Sequence, residues 1–270
     1  MWTDALKPTE AEYTNEAFQA LQGEQWAAPL LLKIEQSGGI LSAQMPLRLE
    51  VRIAYAFHRR GLRPEYEFAT GSGAKSVDFR VKGSPDWLIE VVSLMESDAV
   101  KDATAQHGLL TSVVLSSLSE DPRHSEEGEI VRAMERIADK AEKFPEPSPT
   151  AFHVILADMR GYLLGKGDRG DYREIAYGAS AARPEQAHLW DGRPILGLFD
   201  SENKRRSARM VQSRIHYLGF LSEKEYSEGE IESKSWYVAN PGFFARKHDA
   251  QTQFASFPLK RKRDANVPEG

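Results

Sequence analysis

The stretch that most constrains this chain is SVDFRVKGSPDWLIEVVSL, residues 76–94, two β-rich runs around a Gly-Ser-Pro turn. With a three-residue turn of Gly83, Ser84 and Pro85, Lys82 faces Asp86 and Asp78 faces Glu90 across the hairpin. Directly opposed side chains hold their Cβ atoms roughly 5 Å apart, where like charges repel. Two carboxylates so placed require positive charge between them, and a hard divalent cation with oxygen ligands meets that requirement. The alternative is a solvated strand face that carries two acids by chance, and a register slip of one residue would part them.

A third acid stands upstream. PLRLEVRIAYAFHRR, Pro46–Arg60, has a helical pattern with proline near its start and Gly61 as its stop. At helical spacing Glu50 shares a face with Pro46, Ile53, Ala54 and Phe57. An acid inside an apolar stripe is costly to bury unless it is paired or binds a metal. The local arginines Arg48 and Arg52 do not lie on that face, which favours a site role for Glu50 over a local ion pair. A purely structural scaffold would leave this acid unexplained.

A helix with an inward glutamate, followed by a hairpin with Asp on one strand and Glu-x-Lys on the next, resembles the PD-(D/E)XK nuclease superfamily. The resemblance covers residues 46–160, the αβββ part of that core, and rests on the ordered trio Glu50, Asp78 and Glu90. It implies an α/β fold with a restriction-endonuclease-like core, a central mixed β-sheet of about four to six strands flanked by helices. It implies that Asp78 and Glu90, with the main-chain carbonyl of Val91, ligate Mg²⁺ (or Mn²⁺), and that Glu50 holds a second ion or its water. The activity implied is metal-dependent hydrolysis of phosphodiester bonds in nucleic acid, DNA first, by an endonuclease or exonuclease.

The departure from the family pattern is Val92, which stands where the pattern has a lysine. Valine has no donor, acceptor or titratable group. Either catalysis is lost and the fold serves as a nucleic-acid-binding or assembly subunit, or a lysine arrives from elsewhere. The helix expected over Glu126–Phe144 has an apolar stripe of Ile130, Met134, Ile137, Ala141 and Phe144, with Lys140 on its flank and Lys143 turned further to solvent. A flank lysine can lay its stem on apolar surface and put its ammonium in a cleft. Lys140 is therefore the expected replacement, with Lys75 and Lys101 as alternatives, and an ordinary surface lysine is the competing reading.

Composition frames the site. At 270 residues and 41% hydrophobic, with five tryptophans, the chain can build a substantial core. The absence of cysteine excludes disulfides, thiolate zinc sites and a cysteine nucleophile. No run is long enough to span a bilayer and no charged-then-apolar leader opens the chain, so a cytoplasmic protein without membrane contact is expected. A net charge of −5 does not advertise nucleic-acid binding. Local basic runs exist nonetheless at 58–63, 204–209 and 259–263. The first, with Arg59, Arg60 and Arg63, follows the Glu50 helix and is the expected nucleic-acid contact, though short charge runs are usually solvated faces. A protein partner or homodimer is also expected. The histidines show no zinc spacing, and GKGD at 165–168 does not complete a phosphate loop.

Three regions follow: an N-terminal extension over 1–45, a nuclease-like domain over 46–245 and a mobile basic tail over 246–270. In the extension Trp2, Phe18, Leu21 and Trp26 are the apolar points. Phe152–Met159 reads as a buried central strand, bounded by the stiff PEPSPT connector and Gly161. GYLLGKGDRGDYREIAYG reads as a loop, while PILGLF (194–199), RIHYLGFLSE (214–223) and SWYVANPGFF (235–244) read as extra C-terminal strands. The segment SEKEYSEGEIESK reads as a polar connection between the last two.

Overall fold

A computed structural model of the chain describes residues 8–37, 45–71, 75–95, 97–98, 100–101, 126–162, 167–179, 195–222 and 231–260. A six-stranded mixed sheet in the order β1-β2-β3-β4-β5-β6 forms its centre. The strands are β1 (Glu65–Ala69), β2 (Ser76–Val81), β3 (Asp86–Ser93), β4 (Ala151–Asp158), β5 (Tyr217–Leu221) and β6 (Ser235–Ala239). The first three pair antiparallel, β4 joins β3 and β5 in parallel, and β6 closes antiparallel on β5. The chain is α/β with helices on both faces of the sheet, as expected. Among the described residues no helix is long and apolar enough to cross a membrane.

One face of the sheet carries α1 (Pro8–Gln22), α2 (Ala28–Gln36) and α3 (Met45–Arg59). Leu21, Leu30, Ile34, Ile53 and Phe57 pack there against Trp87, Ile89 and Val91 of β3. The other face carries α4 (Glu126–Ala138), a 3₁₀ turn over Asp139–Lys143, α5 (Arg169–Tyr177) and α6 (Arg206–Arg214). Ile130, Met134, Ile137 and Phe144 pack there with Leu88 and Val92. Odd residues of β3 thus serve the first layer and even residues the second, as period two requires. Glu90 falls between Leu88 and Val92, on the side of α4 and its 3₁₀ extension. The central β4 is buried from His153 onwards, in keeping with its near-continuous apolar sequence.

The N-terminal extension packs on the core through its apolar residues. Leu21 and Leu30 are fully buried, and Arg160, just past β4, donates through Nη1 to Glu10 Oε1 at 2.5 Å. Phe18 and Trp26 pack at the edge of the same core, while Trp2 lies outside the described residues. The stretch from 246 to 260, expected as part of a mobile tail, is packed on the same core. It forms the helix α8 (Lys247–Phe254), after the short α7 (Ile231–Lys234), and buries Phe254, Phe257 and Leu259. The Phe257 ring lies 4.9 Å from that of Trp87, a contact of the kind worth about 0.5–1.5 kcal/mol beyond its buried area.

Three local readings are corrected. The glycine-rich run after 160 contains α5, started by Asp168, whose side chain accepts from the amides of Gly170 and Asp171. PILGLF makes no strand over its described residues 195–199, because its backbone is pressed against the end of α5. A Cβ on Gly197 would lie 2.3 Å from the Gly178 nitrogen. The helix expected over Glu126–Phe144 changes from α to 3₁₀ geometry at Asp139, and this change re-aims Lys143.

Candidate active site and metal centre

The hairpin has the register that a three-residue turn dictates, with Phe79 opposite Ile89, Arg80 opposite Leu88 and Val81 opposite Trp87. One step further brings Asp78 level with Glu90. There the backbone ladder gives way, and Asp78 Oδ2 accepts the Val91 amide at 2.7 Å. A distortion in β1 accompanies this. Between the Tyr66–Phe79 and Phe68–Val77 pairs sit Glu67 and Asp78, and Glu67 has a φ of 49°. Tyr66 and Phe79 pack into the first layer, whereas Phe68 and Val77 pack into the second. Two residues on, an undistorted strand would have kept to one face. A left-handed non-glycine residue costs about 1–3 kcal/mol and persists only where its surroundings hold it. Here the distortion sits beside Asp78, at the boundary between the two packing layers.

Glu50, on α3, is buried and approaches from the first layer. Its Oε2 accepts from the Tyr66 hydroxyl, and Lys33 Nζ of α2 lies 3.4 Å from the same oxygen. Lys33 also donates to Tyr66 Oη at 3.0 Å and to Glu67 Oε1 at 3.1 Å. Among the described residues Glu50 thus pairs with no local arginine, as its helix face implied. Its partners come from α2 and β1. Neither Lys33 nor Tyr66 was legible as a site residue, since each is far from Glu50 in sequence and unmarked by motif.

Glu90 approaches from the second layer and is wholly shielded from solvent. Its Oε1 receives Lys140 Nζ at 2.9 Å and Lys143 Nζ at 2.6 Å, while its Oε2 is buried without a hydrogen-bond partner. Lys140 is thus beside Glu90, where the sequence pointed. Lys143 is there too, contrary to the expectation that it turns to solvent. In a 3₁₀ turn residues i and i+3 eclipse, so the change of helix type at Asp139 stacks the two lysines on one side. Lys75 and Lys101 are engaged elsewhere, with Glu142 at 3.0 Å and Asp98 at 3.1 Å.

A pocket of about 370 Å³ opens over these groups. Glu50, Asp78, Val91 and Lys140 line it, together with Lys33, Arg136 and Lys143, while Glu90 lies behind the two lysines. Arg59, Arg60 and Arg63 are not part of this lining. The guanidinium of Arg59 lies 5.9 Å from the centroid of the Tyr55 ring, Arg60 donates to the Pro258 and Lys260 carbonyls at 2.8 Å each, and Arg63 lies 3.7 Å from Glu24.

The electrostatics follow from burial and crowding. Burial, then the charge of Asp78, pushes the Glu90 carboxyl up to about 7 against the pull of Lys140 and Lys143. Burial and Asp78 raise Glu50 as well, with Tyr66 and Lys33 opposing. Asp78 is raised by burial, against the Val91 amide and the nearby lysines. Burial alone would depress Lys143, but the Glu90 carboxylate beside it overrides this and raises it.

The donor chemistry fits a hard divalent cation. The described residues leave Glu50 Oε1, Asp78 Oδ1 and the buried Glu90 Oε2 without a hydrogen bond, and all are oxygen ligands of the kind Mg²⁺ and Mn²⁺ take. As the side chains stand, no three acidic or imidazole groups among the described residues close around a single point. A donor from the protein holds one oxygen of each carboxylate. Comparison of the chain with protein-family models, with curated proteins and with solved structures finds no match.

Proposed function

We propose that the protein is a metal-dependent phosphodiesterase acting on nucleic acid, DNA first, with a restriction-endonuclease-like core. The observation that carries this reading is Glu90, a fully buried carboxylate that holds two lysines on one oxygen and leaves the other unpartnered beside Asp78. A structural ion pair needs one counter-charge, and a buried carboxylate oxygen left bare costs about 1–3 kcal/mol or more. A cation on that oxygen would account for the bare atom, and a phosphate in the pocket would account for the second lysine.

Asp78, Glu90 and the Val91 carbonyl would hold the cation, with Glu50 serving a second ion or its water. When bound, such a cation polarises the scissile phosphate and lowers the pKa of a coordinated water. The chain's own part is electrostatic. Lys140 and Lys143 place two ammonium groups at the pocket wall, where charge accumulates on the phosphorane in the transition state. They do so in place of the lysine absent at Val92. Tyr66 and Lys33 orient Glu50 and keep its Oε2 engaged, so that Oε1 is the oxygen free to act.

A second reading has one observation in its favour. Lys140 and Lys143 already neutralise Glu90, as they would in an inactive fold that binds nucleic acid or a protein partner. The two readings separate on incubation of purified protein with supercoiled and linear DNA in Mg²⁺ or Mn²⁺, with Asp78→Asn alongside. Cleavage that requires the cation and disappears in Asp78→Asn supports the nuclease. Cleavage that survives Asp78→Asn, or Mn²⁺ binding by calorimetry that is unchanged in Asp78→Asn and Glu90→Gln, overturns it.

A further inference from the structure

Four cations line the pocket, and three of them are occupied. Lys140 and Lys143 are committed to Glu90, and Lys33 to Glu50, Glu67 and Tyr66. The fourth is Arg136, on α4, which is exposed and has no acid within ion-pair reach among the described residues. Its neighbour one turn back differs, since Arg132 is forked onto Glu129 at 2.8 and 3.1 Å. Arg136, Lys140 and Lys143 stand at i, i+4 and i+7, so α4 and its 3₁₀ extension present three cations in a row along one wall.

Resting on the nuclease reading, we infer that Arg136 is a substrate-positioning residue that grips a second phosphate of a polynucleotide, next to the phosphodiester that reacts. A guanidinium presents its donors as a fork that matches two phosphate oxygens, and one without an internal partner is available to an external anion. Arg136 lies one turn, about 5–6 Å along the axis, from Lys140. That is the scale of the step from one backbone phosphate to the next. The substrate class that fits is therefore a nucleic-acid strand and not a small diester or a monoester, because neither of these offers a second phosphate one backbone step away.

The test compares Arg136→Gln, Arg136→Lys and Arg132→Gln with the unmutated protein. Affinity for a short fluorescein-labelled DNA is read by anisotropy in Ca²⁺ across a salt series. Hydrolysis is read in Mn²⁺ on the same DNA and on bis(p-nitrophenyl) phosphate, which carries a single phosphate. Arg136→Gln should weaken DNA binding about ten- to a hundredfold and reduce the salt slope by about one unit. Arg136→Lys should keep the slope and lose part of the affinity, and Arg132→Gln should change neither. On DNA the loss should appear in KM with kcat retained, and it should exceed any loss on the small diester. Indistinguishable affinity and slope in Arg136→Gln and Arg132→Gln would overturn the assignment even if DNA is cleaved. DNA bound through Arg136 but never cut would leave the phosphate contact standing and remove the nuclease reading.

Discussion

Lys143 Nζ lies 2.6 Å from Glu90 Oε1, although 53 residues separate the two along the chain. The contact exists because α4 tightens into a 3₁₀ turn and stacks Lys143 over Lys140. Two ammonium groups therefore share one carboxylate oxygen.

That sharing predicts a non-additive mutant series. Lys140→Met and Lys143→Met should each lower the DNA cleavage rate, by up to about a hundred- to a thousandfold if each ammonium meets the transition state. Each single variant leaves Glu90 with one partner, so the urea midpoint should move little. The double variant strands a buried carboxylate and should cost about 3–5 kcal/mol of stability at alkaline pH. Stability of the double variant equal to that of the singles at pH 8 would show that Glu90 does not depend on these lysines.

The pH dependence of the metal-free protein follows from Glu90. Its carboxyl ordinarily titrates near 4.5 and is pushed up to about 7 in the fold. Between those values the folded state holds a proton that the unfolded chain has released, so this group's contribution is full at acid pH and is lost as pH rises towards 7. The slope is up to about 1.4 kcal/mol per pH unit. Urea titrations in chelator at pH 5.5 and 8 should show that loss, and Glu90→Gln should flatten it. Cation affinity must run the opposite way, because the carboxylates bind metal only after they release their protons. Calorimetric Mn²⁺ affinity that does not rise from pH 5.5 to 8 would contradict this assignment.

The parts of the site legible in the sequence are those that local geometry dictates. Turn length and alternation sufficed to set Asp78 level with Glu90, and the apolar stripe of α3 sufficed to turn Glu50 inwards. Lys140 was legible from α-helical periodicity. Lys143 was not, because no residue in Asp139–Lys143 marks the change of helix type that governs its direction. Lys33 and Tyr66 reach Glu50 only through tertiary packing. Elsewhere signals were present but outweighed: Asp168 and Asp171 form a capping box inside a run that its glycines made look like loop, and Phe254 and Phe257 carry the packing of a tail that its lysines and arginines made look solvated.

A buried histidine pair gives a second, opposite pH effect. His153 Nδ1 lies 2.7 Å from the Arg214 carbonyl, and His216 Nδ1 accepts the His153 amide at 3.1 Å. Burial pulls His153 down to about 4 and His216 to about 3. The unfolded chain takes up protons near pH 6.5 that these rings refuse, so their contribution is present above that value and is lost as pH falls. Each ring supplies a slope of about 1.4 kcal/mol per unit until it titrates. Glu90 offsets one of them between pH 6.5 and 4.5, so the Glu90→Gln background exposes the loss most clearly. In that background His153→Phe should remove about half of the slope, and equal slopes with and without His153 would exclude the pair as its source.

The last prediction concerns Arg60, one of the three arginines that the sequence placed against nucleic acid. Arg60 was expected to touch nucleic acid, but its guanidinium is spent on the Pro258 and Lys260 carbonyls, which tie the end of α3 to the segment after α8. Arg60→Ala breaks two charge-assisted hydrogen bonds to part-buried carbonyls, each worth up to about 1.5–3 kcal/mol before relaxation. Limited proteolysis should then cut the segment around Phe254–Lys260 faster, and the urea midpoint should fall. DNA affinity and its salt slope, measured where the variant remains folded, should match those of the unmutated protein. A slope reduced by about one unit with proteolysis unchanged would restore Arg60 to the nucleic-acid surface and move that surface towards the C-terminal end of α3.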